Sequence, residues 1–378
     1  MGKSYYIFLL IYCLCACQTS RKGGIDFSGE ELFLKKTDLV IKDTSLLGDY
    51  EMIPFELNKF SGIKTIDRIL LFEDKIGVVD LSLRAFFVFD RQGKFLYEIN
   101  HIGNGPGEYT QLLDVCLDPV DSCLVFLTYP NDIQFYSYTG EFKSSIEMEE
   151  VVYRIAVQGD YIYLLFPDRV GYDKQDYSMV ALNRRTGKKA YLLEQGIRPV
   201  ESLLTAGSIL ISEQDAVYYM QRYTHRIYKI EGIKCTPFYE LDLGKFNLPD
   251  HMLEEGVDKR YFMDELTNTW TVFSLTNYCE LPGGFMLSAS LPGFFHYDLK
   301  KEELNHFDGI VNEKYGIEFY SSTQIEPAGK EIAFVLSDPM LTHMKEHRRK
   351  DEAPALKALL DRLPDEPNPV LFLYSLKK

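Results

Sequence analysis

The sequence predicts an all-β fold built from a repeated unit of four short strands. A glycine that follows a short polar turn recurs at spacings of 47, 47 and 45 residues, at Gly93, Gly140, Gly187 and Gly232. Each glycine lies where a hairpin turn needs a positive φ angle. A second pair of apolar strands precedes the turn in the first three units. Four antiparallel strands in about 45 residues is the pattern of a β-propeller blade.

Six such units are predicted, with seven as the alternative count. Their strands are expected at 69–80, 115–126, 155–164, 208–230, 284–298 and 332–374. A propeller commonly closes its ring by pairing strands from the two ends of the chain. The segment 370–374 should therefore pair with an N-terminal strand, either 39–41 or 52–55.

Two segments interrupt the strand rhythm and are predicted as helices, 248–266 and 339–363. In the second, apolar side chains follow the i, i+3, i+4, i+7 spacing of one helix face: Leu356, Leu359, Leu360 and Leu363. The predicted fold is a six-bladed β-propeller with two short helical insertions.

The first residues predict a secretory signal. Lys3 precedes an apolar stretch at 5–14, which is about half of the ~20 residues needed to span a bilayer. The ending Leu14-Cys15-Ala16-Cys17 resembles a bacterial lipobox, in which Cys17 receives a diacylglyceryl group and becomes the N-terminus. We therefore expect a signal peptide at 1–16, a lipidated N-terminus and tether at 17–35, and one propeller domain at 36–378. An ordinary cleaved signal or a transmembrane helix is the alternative.

The residues after Cys17 favour one membrane. Gln18 follows the cysteine, and by resemblance to bacterial sorting patterns this favours the outer membrane. The tether 18–24 lacks the acidic residues of some surface-export signals, which favours the periplasmic face over the cell surface.

Removing residues 1–16 takes away one lysine and no acid, so the net charge changes from −15 to −16. A body of this charge disfavours nucleic acid as a partner and makes the lipid the expected membrane contact.

Five cysteines remain after cleavage, and two of them flank one turn. Cys116 and Cys123 surround the turn 118–121, and a four-residue loop would place them opposite each other on a hairpin. A cross-strand disulfide is allowed in an oxidising compartment, although two buried free thiols are favoured. The absence of a CxxC pair gives a cysteine zinc site no support.

One loop carries a family resemblance. The stretch 102–109, Ile-Gly-Asn-Gly-Pro-Gly-Glu-Tyr, resembles the six-bladed propeller lipoproteins of Bacteroidetes, relatives of the NHL-repeat propellers. The likeness extends to 89–95 and to 368–374, and it covers most of residues 50–378. It implies a propeller fold and an envelope address, and it supplies no catalytic residues.

The sharpest chemical motif is the H-x-x-E-H string at 343–347. On a helix it would place two imidazoles on one face for zinc, with Glu346 polarising a water. Such enzymes need a third ligand on a later helix, and only Glu352 and Glu366 follow, both in short polar stretches. Four nearby cations also oppose a dication: Lys345, Arg348, Arg349 and Lys350. A solvated helix face is the preferred interpretation.

Three other features of the sequence are candidates for ligand binding. The glycine loop 103–109 resembles a phosphate cradle but lacks the lysine and Ser/Thr of a P-loop, so a structural turn is favoured. Glu108 and Tyr109 are the groups it would offer to a ligand. Asp80 and Asp114 are candidates for lining a central tunnel, where some propellers hold calcium. Aromatic clusters at 218–223 and 294–297 fit a sugar or peptide platform, with packing between blades favoured.

These observations predict an outer-membrane-anchored lipoprotein whose propeller is a binding or protein-interaction scaffold. Its expected partner is a glycan, a peptide or an envelope protein, and no catalytic residue, metal or cofactor is predicted. The alternative is a metal-dependent hydrolase or lyase with its site in the propeller tunnel. A structural subunit of an outer-membrane assembly is the third hypothesis. The absence of a Gly-x-Ser-x-Gly elbow weakens an esterase assignment.

Overall fold

Strands form most of the described part of the chain. The computed structural model describes residues 28–377 except 106, 130–131, 168–175, 196–198, 201–206, 214, 255 and 327–329. Cys17, the predicted signal and most of the predicted tether lie outside the described residues. Within the described ranges, no helix is long and apolar enough to cross a membrane.

The N-terminal segment comprises three short elements. They are β1 (Glu30–Lys42), the helical turn α1 (Asp43–Leu46) and β2 (Leu47–Pro54). Five meanders of four antiparallel strands follow, which we call units 1 to 5.

The strands of the units run consecutively along the chain. Unit 1 contains β3 (Arg68–Phe72), β4 (Lys75–Asp80), β5 (Ala85–Asp90) and β6 (Phe95–Ile99). Unit 2 contains β7 (Gln111–Asp118), β8 (Cys123–Tyr129), β9 (Asp132–Ser137) and β10 (Phe142–Glu147). Unit 3 contains β11 (Arg154–Gln158), β12 (Tyr161–Leu165), β13 (Tyr177–Asn183) and β14 (Lys189–Glu194). Unit 4 contains β15 (Leu210–Ser212), β16 (Val217–Gln221), β17 (Arg226–Glu231) and β18 (Lys234–Asp242).

After α2 (Lys259–Thr269), unit 5 is formed by β19 (Leu275–Leu281), β20 (Gly284–Ala289), β21 (Phe294–Asp298) and β22 (Glu303–Asn312). The short strands β23 (Ile317–Phe319) and β24 (Ile325–Glu326) lead to β25 (Glu331–Leu336). Helices α3 (Asp338–Glu346) and α4 (Pro354–Arg362) separate β25 from the last strand, β26 (Val370–Leu376). The arrangement confirms a mostly β fold of small, propeller-like sheets, whereas the count of six blades stays a prediction.

The two ends of the chain meet in one sheet, which we call the closing sheet. Its strand order is β2-β26-β25, and Met52 lies opposite Phe372 in the antiparallel register. The segment 52–55, rather than 39–41, therefore supplies the N-terminal partner. The short β24 pairs in parallel with β3 of unit 1, with Ile325 opposite Ile69. These pairings hold the last sheet against the first.

Strand β1 forms a belt across two units. Its first residues pair in parallel with β18, with Leu32 opposite Leu241, and the rest pair with β22, with Val40 opposite Gly309. This pairing corrects the alternative expectation that 39–41 closes the ring. All of 30–35 is part of this strand, so the predicted tether 17–35 reaches into the folded body.

Aromatic and aliphatic side chains fill the space between neighbouring units. Between units 1 and 2, the Phe86 and Phe126 rings are 5.7 Å apart edge to face, and Tyr136 lies 4.6 Å from Phe126. Seven aromatic side chains of the clusters proposed as platforms are buried in the same way: Tyr218, Tyr219, Tyr223, Phe294, Phe295, Tyr297 and, in part, His296. Packing is therefore their role in the described fold.

The repeated turn glycines have the backbone conformation that their spacing predicted. Gly93 and Gly140 have φ values of 84° and 88°. A Cβ at Gly93 would also overlap the carbonyl oxygen of Pro54 in the closing sheet. This turn needs glycine both for its conformation and for a close approach between sheets.

The insertion at 248–266 is less helical than predicted. Only α2 is α-helical there, preceded by the 3-10 turns Gly244–Phe246 and Asp250–Met252. The Asp258 carboxylate accepts a hydrogen bond from the Tyr261 N–H at 2.9 Å and thereby caps the helix. The segment 339–363 contains two helices, α3 and α4, rather than the one predicted. Of the predicted face, Leu356, Leu359 and Leu360 are buried in α4, whereas Leu363 follows the helix and is half-buried.

The two cysteines of unit 2 are not opposite each other, which corrects the sequence expectation. Cys123 lies opposite Asp118, and Cys116 lies opposite Val125, two positions further from the turn. Both are buried free thiols. Burial raises the pKa of Cys123 to about 12 and that of Cys116 well above its usual value.

Candidate functional site

A buried polar network lies where the first strands of the units meet, the place of the axis in a propeller. At its centre is Arg68, the first residue of β3, which is 3% exposed. Its Nη1 donates to the Val115 carbonyl at 2.6 Å, and its Nη2 contacts the Asp114 carboxylate at 3.3 Å. Nη1 also lies 3.5 Å from Glu326 of β24. One guanidinium thus joins unit 1, unit 2 and the strand that precedes the closing sheet.

Both carboxylates also accept backbone hydrogen bonds from neighbouring units. Asp114 accepts from the N–H groups of Val115 and of Ile155 in unit 3, each at 3.0 Å. Glu326 accepts from the Leu117 N–H at 3.0 Å. These bonds satisfy charged groups that would otherwise be costly to bury.

The network continues through units 4 and 5. Ser208 Oγ accepts from Arg68 Nη2 at 3.4 Å, and the Ser208 N–H donates to the Asn277 side-chain oxygen at 2.9 Å. The Asn277 amide donates to the Ser322 carbonyl at 2.7 Å. Asn277 has a φ of 52°, a left-handed conformation that asparagine tolerates better than most residues. The chain of contacts therefore reaches every unit and the segment before the closing sheet.

Burial raises the pKa of the Glu326 carboxyl to about 7, against the lowering effects of Arg68 and of the Leu117 N–H. Desolvation therefore outweighs these two contacts and favours the protonated form of the Glu326 carboxyl.

The predicted tunnel residues separate in the structure. Asp114 lies in the network, whereas Asp80 accepts hydrogen bonds from the Lys64 and Leu83 N–H groups at 2.7 and 2.9 Å and so fixes two loops. Among the described residues, no group of three or more His, Cys, Asp or Glu side chains is arranged to hold a metal ion. The Asp114 and Glu326 carboxylates face Arg68 instead.

Sequence reasoning did not single out Arg68, Glu326 or Asn277. Arg68 had one signal, since it is a lone charge that opens the otherwise apolar strand Arg-Ile-Leu-Leu-Phe. Glu326 and Asn277 had none, because only the meeting of distant strands makes them neighbours.

The 103–109 loop is tied together by its own side chains. The Glu108 carboxylate accepts from the Gly105 N–H at 2.8 Å, and the Gly103 N–H donates to the Tyr109 carbonyl. The Tyr109 hydroxyl donates to the Arg84 carbonyl at 2.8 Å, and this side chain is 1% exposed. The favoured interpretation as a structural turn agrees with these bonds. Ligand contact stays a prediction, and only Glu108 has an exposed side chain for it.

The H-x-x-E-H string lies at the end of α3. His343, Glu346 and His347 are all exposed, and the two imidazole rings are stacked with centroids 4.3 Å apart. Glu352 forms an ion pair with Arg348 at 2.6 Å. The string is on a solvated helix face, as the preferred interpretation had it.

An open cleft of about 500 Å³ lies where the closing sheet meets unit 1. We call it the junction cleft. It is lined by Glu51, Met52, Ile53, Arg91, Gln92 and Glu331. Arg91 and Glu331 lie 3.9 Å apart across it. Burial raises the pKa of Glu331, with Arg91 acting in the opposite direction.

A second acidic group lies between units 4 and 5. Glu213 is buried, and its Oε1 has no hydrogen-bond partner among the described residues. Burial first, and then the charge of Glu280, raise the pKa of Glu213 to about 8. Glu280 is exposed and accepts a hydrogen bond from the Tyr218 hydroxyl at 2.6 Å.

Several solved structures are similar to this chain. An exported protein of Bacteroides fragilis, so described, is 14% identical with a TM-score of 0.75, and the match covers 92% of this chain and all of that one. A member of the DUF4221 family from Bacteroides vulgatus is 10% identical with a TM-score of 0.47, covering 87% of this chain and 97% of that one. BamB from Moraxella catarrhalis is 10% identical with a TM-score of 0.43, covering 88% and 100%. The first of these likenesses supports the fold.

No curated protein matches the sequence. One family model does, over residues 30–375, from the first residue of β1 to near the end of β26, and it is described as "Domain of unknown function (DUF4934)". The match takes in every unit, the closing sheet and both helical insertions. The chain therefore belongs to the DUF4934 family.

Proposed function

We propose that this protein is an exported lipoprotein, anchored through Cys17, whose six-bladed propeller is a binding scaffold for an envelope partner. The observation that carries the proposal is the contrast between two places in the fold. The position of the axis is filled by Arg68 and its buried partners, whereas the junction cleft is open and lined by polar side chains. Binding needs only such a surface, while catalysis in the tunnel would need the carboxylates that Arg68 engages.

Export is supported by the leader pattern that ends at Cys17 and by the similarity to a protein described as exported. The outer membrane is the proposed address because Gln18 follows the cysteine, and its periplasmic face is proposed because the tether 18–24 lacks acidic residues. Six blades are proposed because five four-stranded meanders and one closing sheet occupy the described chain.

The junction cleft favours a peptide or protein segment that carries cationic side chains. Glu51 and Glu331 supply two carboxylates to its lining, and Arg91, 3.9 Å from Glu331, is the cation of that lining. The body is also strongly acidic, which attracts cationic partners over long range. Neutral glycans are the competing ligand class.

Anchoring is tested by fractionation of cells that express the full chain. Cys17→Ser should move the protein from the membrane fraction to the soluble fraction and remove the lipid mass from the N-terminal peptide. Cys15→Ser is the matched control, because it leaves the attachment cysteine intact. A Cys17→Ser protein that stays in the membrane fraction would sink the lipoprotein proposal.

Binding at the junction cleft is tested with a photo-crosslinking amino acid at Gln92, an exposed residue of the cleft. The same group at exposed Lys300, in a turn of unit 5, is the control. We expect a discrete crosslinked partner from Gln92 only, and we expect Arg91→Glu to change its yield by at least about tenfold. Equal labelling from both positions would contradict a partner site in the cleft.

The alternative, a metal-dependent hydrolase or lyase in the tunnel, has less support because Arg68 already neutralises Asp114. Metal analysis of the purified body with chelator melts tests it. A stoichiometric ion that survives His343 and His347 substitution, and whose removal lowers the melting temperature, would favour this alternative over the scaffold.

A further inference from the structure

We infer that His343 and His347 form a surface site for one first-row divalent transition-metal ion, with water completing the coordination. This site is independent of the scaffold proposal and of any hydrolytic chemistry. The two imidazoles lie one helical turn apart at the end of α3, are exposed, and are stacked with their planes 26° apart. Neutral imidazole nitrogen is the protein ligand that Zn²⁺, Ni²⁺ and Cu²⁺ share.

The spacing of the two rings fits bidentate binding. Two metal–nitrogen bonds of about 2.0–2.1 Å at a tetrahedral angle hold their nitrogens about 3.3 Å apart. The ring centroids are 4.3 Å apart and the planes are 26° from parallel, so the rings are within reach of one ion, and one ring must turn for both lone pairs to point at it. The backbone beneath is already fixed, because the His347 N–H donates to the His343 carbonyl at 3.0 Å.

A second contact orients one ligand. His347 Nδ1 lies 3.2 Å from the carbonyl oxygen of His343. Since a carbonyl oxygen can only accept, Nδ1 carries the proton and the Nε2 lone pair is left for a metal. Metal-binding histidines commonly donate their second ring N–H to such a carbonyl.

The surrounding cations do not repel a dication as the sequence alone indicated. Arg348 is paired with Glu352 at 2.6 Å and with Asp361 at 2.9 Å. Arg349 is 3.0 Å from Asp351. The Lys345 ammonium donates to the carbonyls of residues 363 and 364 and lies 3.5 Å from Asp365. Three of the four nearby cations are therefore paired with carboxylates, and the two imidazoles are exposed to water.

The site is tested by titrating untagged protein, residues 25–378, with CuCl₂, NiCl₂ and ZnCl₂ in a calorimeter at pH 7.5. We expect one ion per chain, with Cu²⁺ bound more tightly than Ni²⁺ or Zn²⁺, and no binding of Mg²⁺ at this site. His343→Gln and His347→Gln should each weaken binding about tenfold or more. Both changes should leave the thermal melt of the metal-free protein unchanged because the side chains are exposed.

Two controls separate this site from other sources of metal binding. His101→Gln removes an exposed histidine elsewhere and should leave the affinity unchanged. Glu346→Gln should also have no effect, because the carboxylate of the H-x-x-E-H string is not one of the two ligands. Binding that persists in the double variant His343→Gln/His347→Gln would overturn the inference, as would equal affinity for Mg²⁺.

Discussion

Replacing Arg68 with methionine removes the guanidinium at the centre of the buried network while keeping a side chain of similar length. The variant loses the 2.6 Å hydrogen bond to the Val115 carbonyl and the contacts to Asp114 and Glu326. Removing one partner of a buried ion pair costs about 3–5 kcal/mol, because the remaining charge is left without compensation.

The structure places the cost near the lower end of that range. Burial raises the pKa of the Glu326 carboxyl to about 7, so proton uptake by this group partly offsets the loss of Arg68. Asp114 keeps two backbone N–H donors at 3.0 Å. We expect the free energy of unfolding to fall by about 3 kcal/mol at pH 7, a large share of the 5–15 kcal/mol typical of a folded domain.

Urea unfolding followed by circular dichroism measures this loss, with the m-value checked for constancy. Arg68→Met should lose more stability at pH 8.5 than at pH 6. Without Arg68 the folded-state pKa of Glu326 rises further. The protonated Glu326 side chain favours the folded state, and this stability is lost as the pH rises through the folded-state pKa. Asp114→Asn in the Arg68→Met background should restore about 1–3 kcal/mol. A loss below about 1 kcal/mol, or no coupling between the two positions, would refute the assigned role of the network.

Three further predictions concern other parts of the fold. Glu213→Gln should leave the free energy of unfolding nearly unchanged at pH 5 and raise it by more than about 1 kcal/mol above pH 8, because the raised pKa of Glu213 makes its ionisation unfavourable as the pH rises towards 8. Denaturant melts at both pH values check this, and an equal effect at both would contradict it. Gly93→Ala should lower the free energy of unfolding by about 1–3 kcal/mol, because the added Cβ would overlap a β2 carbonyl. Gly159→Ala should cost less, because the space around Gly159 is open. Similar unfolding midpoints for the two variants would count against the close approach at Gly93. Cys116 and Cys123 should react with a thiol reagent only after unfolding, because both are buried with raised pKa values; rapid labelling of the native protein at pH 8 would contradict their burial.

The features predicted from sequence were those that local physics determines. The glycine spacing located the turns because a hairpin at those positions requires a positive φ, and Gly93 and Gly140 have it. The leucine spacing located α4 because one helix face must be buried. The overextended helix at 248–266 was wrong because Pro249 and Gly256 interrupt the helical backbone, and α2 begins only after the Asp258 cap.

The central site could not be predicted in the same way. Asp114 was a candidate for lining a central tunnel, yet its partner Arg68 is 46 residues away and Glu326 is more than 200 away. No periodic pattern connects such residues. The expectation that Cys116 and Cys123 lie opposite each other was wrong for a related reason, since a register difference of two residues separates two side chains, whereas the favoured state of two buried free thiols is confirmed.

The belt formed by β1 has a consequence for how the chain is assembled. Leu32 pairs with Leu241 and Val40 with Gly309, so the first strand to be synthesised must wait for partners that are 209 and 269 residues later. Pairings of such sequence separation form slowly, and a strand without a partner exposes an edge on which other chains can add. Units 1 to 3 can form in sequence as the ribosome delivers them, while β1 stays open until unit 5 is complete. The last pairings to form thus include those of β1, the first strand of the described part of the chain.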